Sequence, residues 1–196
     1  MTISKFDLKS ARTELIRKSI HFSIALFPFI SAWNHTFSIF FLIAGISLYI
    51  RLENLRMNGF SIPFFSSLTI QAARKRDEGH FVLGPVTLGL GALLVTAFFP
   101  PETAAIAIFA LAFGDGFASL VGKPFGRIKP AFMFGKSVEG TMACFLAVLF
   151  VTWKVTNNLS VTLMAALTTA IVEALPLEDF DNLLIPLSVA LAVSLI

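Results

Sequence analysis

Seven long apolar runs, separated by short clusters of charge, constrain this chain more than any other feature. They cover approximately residues 19–35, 36–52, 81–99, 103–121, 137–153, 159–175 and 182–196. A helix that crosses a bilayer needs about 20 mostly apolar residues, within a range of roughly 17–25. Backbone polar groups must be satisfied internally in lipid, and no alternating strand pattern appears, so helices follow. Only 14% of the residues are charged and 56% are hydrophobic, with 22 Phe; soluble domains carry about 25% charged residues. The expected fold is therefore all-α, a polytopic transmembrane helical bundle of about seven spans. Residues 1–196 would form a single membrane-embedded domain. The first run has no small-residue cleavage site and is expected to be a retained helix rather than a signal peptide. The single Cys144 lies inside an apolar run, so no disulfide can form within the chain.

Charge sorts these runs. With a cytoplasmic N-terminus, the cytoplasmic segments hold Lys5, Lys9, Arg12, Arg17 and Lys18, then Arg51, Arg56, Arg74, Lys75 and Arg76, then Lys123, Arg127, Lys129 and Lys136. Of the 15 Lys and Arg, only Lys154 falls outside. The positive-inside rule supports this orientation and an odd number of spans. The outer connections are minimal, and two of them carry Asn34-His35-Thr36 and Asn158-Leu159-Ser160, chance-level matches to a glycosylation acceptor. In the longest cytoplasmic connection, Phe64, Phe65, Leu68 and Ala72 share a helical face ahead of Arg74-Lys75-Arg76. That pattern suits an interfacial helix or a solvated loop with a basic end.

Ionisable groups at membrane depth mark function by default. Glu14, Arg17, Lys18 and His21 fall on one helical stripe, suited to phosphate contacts or to anchoring the first helix. Asp115, between Gly114 and Gly116, lies about 10 Å inside the fourth run at 1.5 Å per residue. Ser119 and Gly122 share its face. A carboxylate there needs a cation, and a metal ligand or catalytic carboxylate is favoured over a helix–helix ion pair. The connection from Gly122 to Gly140 concentrates Lys123, Arg127, Lys129 and Lys136 among Gly126, Gly135 and Ser137. Ser137 can cap the following helix, so the segment suits a phosphate cradle, although it is no Walker A loop. Glu139 sits in the first turn of that helix. The connection Glu173–Asn182 has four carboxylates, Asp181 among them, and no Lys or Arg. An acidic connection facing a basic one is the expected layout of a site for Mg²⁺ and a nucleotide.

Taken in order, these blocks resemble the CTP-dependent lipid-alcohol kinases: dolichol kinase, phytol and farnesol kinase, and CTP-using diacylglycerol kinase. The resemblance rests on Glu14 to His21, on Asp115, Ala118, Ser119, Gly122, Gly126 and Lys129, on Gly135-Lys136-Ser137 with Glu139-Gly140, and on Glu173 with Asp181-Asn182. It implies transfer of the γ-phosphate of CTP to a membrane lipid alcohol. It further implies that Lys123, Arg127, Lys129 and Lys136 hold the triphosphate, helped by backbone groups at Gly122, Gly126, Gly135, Ser137 and Gly140. Mg²⁺ would be held by Asp115 with Glu139, Glu173 or Asp181. Asp115, Glu139 and Lys136 are the implied catalytic residues, with Glu14, Arg17, Lys18, His21, Ser119 and Asn182 completing the walls.

A more distant similarity is to phosphatidate cytidylyltransferase, which shares Asp-x-x-Ala-x-x-x-Gly and Lys-x-x-Glu-Gly. That enzyme's C-terminal His-Gly-Gly is missing here, which favours the kinase. A non-enzymatic transporter or scaffold is the third reading, disfavoured because the charges gather at one face rather than at the midplane. The expected partners are CTP and a polyprenol, phytol, farnesol or diacylglycerol. No nucleic acid is expected, and a homo-oligomer is compatible with the sequence. The expected location is a prokaryotic plasma membrane, with the site facing the cytoplasm.

Overall fold

Proline, asparagine and serine decide where the helices start. The computed structural model describes residues 8–77 and 79–196; Lys5 lies outside the described residues, as do the side chains of Lys9 and Lys75. Helix α1 (Leu8–Ser23) runs through a 3₁₀ turn (Ile24–Leu26) into α2 (Phe27–Trp33), with Pro28 in the first turn of α2, where a missing N–H costs nothing. Asn34 caps α3 (His35–Met57), its side chain accepting the Phe37 N–H at 2.9 Å. The short α4 (Pro63–Ala72) follows, then α5 (Gly84–Phe98), closed by Pro100. Helix α6 (Pro101–Phe109) continues through a π turn (Ala110–Asp115) into α7 (Gly116–Phe125). Ser137 caps α8 (Val138–Thr156), and Asn158 caps α9 (Leu159–Glu173) by accepting the Ser160 and Val161 N–H groups. The chain closes with α10 (Asp181–Val193). Both glycosylation-like triplets thus begin with helix caps, where an Asn has a structural purpose.

No strand occurs among the described residues, and the all-α expectation holds. Among the described residues four helical stretches are long and apolar enough to cross a membrane: Arg12–Trp33, His35–Met57, Pro101–Phe125 and Val138–Thr156. At 15, 15 and 13 residues, α5, α9 and α10 are about 20–23 Å long, short of a ~30 Å hydrocarbon core. The apolar run 81–99 yields a helix only over 84–98, because prolines bracket it.

The rod Pro101–Phe125 is the axis of the bundle. Ala107, Ala110, Leu111 and Ala112 are fully buried on it, and α8, α9 and α10 pack around it. Small residues permit this. A Cβ on Gly114 would stand 2.7 Å from Thr169 and 3.2 Å from the buried Cys144 thiol, and one on Gly116 would stand 2.6 Å from the Phe22 ring. Gly91 lets α5 touch the backbone of Asn182 at the start of α10, and Gly89 lets α5 approach Ile46 of α3. Behind the site, Glu53 is fully buried and bonds both Arg56 (2.7 Å) and the Val82 N–H (2.9 Å), while the Tyr49 hydroxyl donates to Val82 O. These bonds pin the connection after α4 to α3.

Candidate active site

All the unusual charges collect at one end of the bundle, where α1 lies along α7 and three connections converge. The π turn is central. It widens the helix over Ala110–Asp115, so that Asp115 is its last residue, and such turns are frequent at functional sites. His21 reaches across from α1, its Nε2–H donating to Leu111 O at 2.9 Å and standing 3.3 Å from Asp115 Oδ2. Lys18, one turn earlier, is ion-paired with Asp115, and all three side chains are buried. Glu14 binds Arg17 at 2.5 Å and also Lys123 of α7. The helical stripe therefore docks on the Asp115 face as a set of alternating charges. In this geometry the cation beside Asp115 is Lys18.

On the far side, Lys136 pairs with Glu173 (3.1 Å to Oε1) and also donates to the Glu173 carbonyl; Thr141 donates to Oε2 at 3.1 Å. Asp181 is buried, within electrostatic reach of Asp115, Lys136 and Lys18, and among the described residues it has no ion pair of its own. Asn182 is committed elsewhere: its amide donates to Thr87 Oγ1 (3.1 Å) and Gly84 O (3.3 Å), which joins α10 to α5. Among the described residues no three His, Cys, Asp or Glu side chains gather closely enough to hold a metal ion by themselves.

Gly122, Gly126 and Gly140 serve close packing. A Cβ on Gly140 would stand 2.8 Å from Ala118 O and 3.0 Å from Gly122 Cα, and one on Gly126 would overlap Gly122 O and Ser137. Three amides at the start of α8 are already taken. Val138 N–H goes to Ile128 O, Gly140 N–H to Ser137 Oγ and Thr141 N–H to Ser137 O. The Lys136 N–H goes to Met133 O. Glu139 lies outside the cavity wall that holds Asp115 and accepts the N–H groups of Arg127 (2.9 Å) and Ile128 (3.1 Å). The structure therefore places Glu139 as a clasp on the basic connection, and the exposed Arg127 side chain outside the cavity wall. Replacing Glu139 by Ala should speed hydrogen exchange at the Arg127 and Ile128 amides. Unchanged exchange at those amides would remove the clasp.

Two cavities meet at this end. The polar one, about 390 Å³, is lined by Lys123, Lys129, Lys136, Ser119, Ser137 and Gly135, among others. The apolar one, about 200 Å³, lies between α1, α4 and α5, with Ile20, Phe65, Leu68, Ala72, Pro85 and Leu88 in its wall. Arg17, Arg74, Asp115 and Asp181 line both. The Arg17 Nε is buried without a hydrogen-bond partner at this junction, an uncompensated donor that an anionic oxygen would satisfy.

Helix α4 forms where the sequence allowed it, but its faces are redistributed. Phe65, Leu68 and Ala72 look into the apolar cavity, whereas Phe64 is 83% exposed. Reading along the chain also missed Arg74 as a site residue. It pairs with Asp179 at 3.1 Å, and Arg76 reaches the same carboxylate at 2.6 Å. Burial pushes the Asp179 carboxyl up from its ordinary range, against the lowering influence of Arg76. The signal for this clasp was present as basic 74–76 and acidic 178–181, but nothing local says that they touch.

The chain is 31% identical to a phytol kinase of Synechocystis over 196 residues, which cover 94% of this chain and 80% of that enzyme. The chain belongs to the CTP-dependent lipid kinase family. Other members match more distantly. A CTP-dependent diacylglycerol kinase of Saccharomyces cerevisiae is 27% identical over 71% of this chain, which spans only about half (49%) of that enzyme. A probable chloroplastic phytol kinase of Triticum aestivum is 25% identical over 97% of this chain and 70% of its own length. No family profile and no solved structure matches. The kinase resemblance carried by the charged blocks is thereby confirmed, and in this member of the family those blocks converge on one pair of adjoining cavities.

Proposed function

We propose that this chain phosphorylates the hydroxyl of a membrane lipid alcohol with CTP, releasing CDP and a lipid monophosphate. The observation that carries the reading is the shared wall of the two cavities. A polar chamber lined by Lys123, Lys129 and Lys136 adjoins an apolar chamber between helices, and Asp115 and Asp181 stand where their contents would meet. A charged nucleotide and a lipid hydroxyl need that juxtaposition. Among the alcohols, an isoprenoid of the phytol type is favoured, since the two phytol kinases above match over 94% and 97% of the chain.

Phosphoryl transfer needs positioning and charge neutralisation more than covalent help. Lys123, Lys129 and Lys136 neutralise the phosphates, and Arg17 offers its unpartnered Nε to a phosphoryl oxygen. The lipid oxygen forms the new bond to Pγ as the bond from Pγ to the β,γ-bridging oxygen breaks; the hydroxyl proton passes to a carboxylate at the junction. Asp115 and Asp181 fit the donor set of Mg²⁺, which takes one or two carboxylates plus substrate phosphates. Bound there, the ion would neutralise charge on the β- and γ-phosphates. Glu173, in the wall of the polar cavity, is engaged by Lys136 and Thr141, and Glu139, outside that wall, by loop amides. Among the described residues the seven apolar rods other than α4, together with the one-sided cations, support seven crossings with a cytoplasmic site. A prokaryotic plasma membrane has the Synechocystis relative in its favour and the wheat chloroplast enzyme against it.

The test is incubation of detergent-purified protein with Mg²⁺, CTP labelled at the α or the γ position, and phytol, polyprenol, diacylglycerol or phosphatidic acid. Lipid carrying only γ label is the expected product. Lipid carrying α label would make the chain a cytidylyltransferase.

A further inference from the structure

Two residues on the rim of the polar cavity have no part in the chemistry above. Phe134 lines the cavity yet is 68% exposed, and its backbone is left-handed at φ 50°. Glu178 lines the same cavity and has φ 56°. Among the described residues only one other non-glycine has positive φ: Asn157, which ends α8. A left-handed backbone is strained for a residue with a Cβ, above all a bulky one, and such strain gathers at binding sites. Phe134 is also the only aromatic ring among the described residues lining this cavity.

These two side chains have the chemistry to read a base. An exposed aromatic face beside phosphate-binding cations offers a stacking platform, and stacking is tolerant of which base it holds. A carboxylate adds selectivity, because it accepts from the 4-amino group of cytosine and repels the 4-oxygen that uracil carries instead. Arg76 engages one oxygen of Glu178 at 2.8 Å and so steadies the carboxylate at the rim.

We infer that Phe134 and Glu178 form the base-recognition end of the polar cavity, Phe134 stacking on the cytosine ring and Glu178 accepting a hydrogen bond from its 4-amino group. This rests on the cavity taking CTP, as proposed above, but not on where the phosphoryl group goes.

Titration calorimetry on the purified full chain with CTP, UTP and inorganic tripolyphosphate tests it. Phe134→Ala should weaken CTP binding about 10- to 100-fold and leave tripolyphosphate binding within about twofold. Phe134→Tyr should keep CTP affinity. Glu178→Gln should lower the CTP-to-UTP affinity ratio at least about tenfold, because an amide can serve either base. Arg76→Ala should lower that ratio less than Glu178→Gln does, because the accepting carboxylate itself stays in place. Equal loss of CTP and tripolyphosphate in Phe134→Ala would overturn the inference, as would no loss of either. So would an unchanged ratio in Glu178→Gln, or an Arg76→Ala variant that reproduces its effect. Wild-type protein that binds tripolyphosphate but neither nucleotide would overturn both this inference and the reading beneath it. CTP binding with the expected variant effects, but without transfer of γ label, would overturn the kinase reaction and leave the base site standing.

Discussion

Exchanging Asp115 for Asn should cut turnover at least about 10³-fold, or about 4 kcal/mol of transition-state stabilisation at 1.36 kcal/mol per decade. The substitution keeps shape and removes one negative charge where the two cavities meet. It also leaves Lys18 buried beside a neutral amide, and breaking a buried pair from one side costs about 3–5 kcal/mol. Loss of activity alone would therefore be ambiguous. The double variant Lys18→Met/Asp115→Asn separates the two effects, since it removes both charges. Thermal unfolding in detergent should return most of the way to the wild-type midpoint, while γ-phosphate transfer stays absent. An Asp115→Asn enzyme with wild-type turnover would end the assignment of Asp115 to the reaction.

The second large effect is expected at a residue with no side chain of its own. Gly140 lets α8 lie against α7, with Ala118 O and Gly122 Cα too near for a side chain. Both obstacles are backbone, so neither can rotate aside. Gly140→Ala should destabilise the protein by about 1–3 kcal/mol, as overpacking does. It should also lower kcat about 100-fold, because Lys136 and Ser137 sit at the N-terminus of the displaced helix and a misplacement of about 1 Å carries that penalty. Gly45→Ala in α3 is the control, since a Cβ there meets nothing within 4 Å. Equal stability and activity in both variants would show that the α7–α8 contact does not position the site.

These expectations mark what could be read along the chain. Helix positions were legible because lipid leaves an apolar run few alternatives, and Ser137 was legible as a cap because capping is local. The stripe of Glu14, Arg17, Lys18 and His21 was legible as a face, since helical spacing fixes it. That this face meets Asp115, 97 residues away, was not, because apolar runs carry no label for the neighbour they pack against. The π turn was equally silent: Ala110–Asp115 contains no proline, and its register is set by tertiary contacts such as His21 to Leu111 O. Sequence reasoning assigned Glu139 and Arg127 to metal and phosphate because carboxylates and cations in a glycine-rich segment suit both. The structure uses the carboxylate to hold the segment's own amides. Phe64 and Phe65 show the same limit on a smaller scale, since adjacent residues on a short helix can exchange inside for outside when the covering partner is unknown.

Helix α4 has a further consequence. Its inner residues wall the apolar cavity, while Phe64 and Ile70 on its outer side are exposed. A hydrocarbon chain leaving that cavity past α4 stays among apolar surfaces and need not cross water. The quantity that governs saturation is then the mole fraction of alcohol in the surrounding film, not its amount per litre. Diluting a fixed amount of alcohol with inert phospholipid or detergent should slow the enzyme even though the bulk concentration is unchanged.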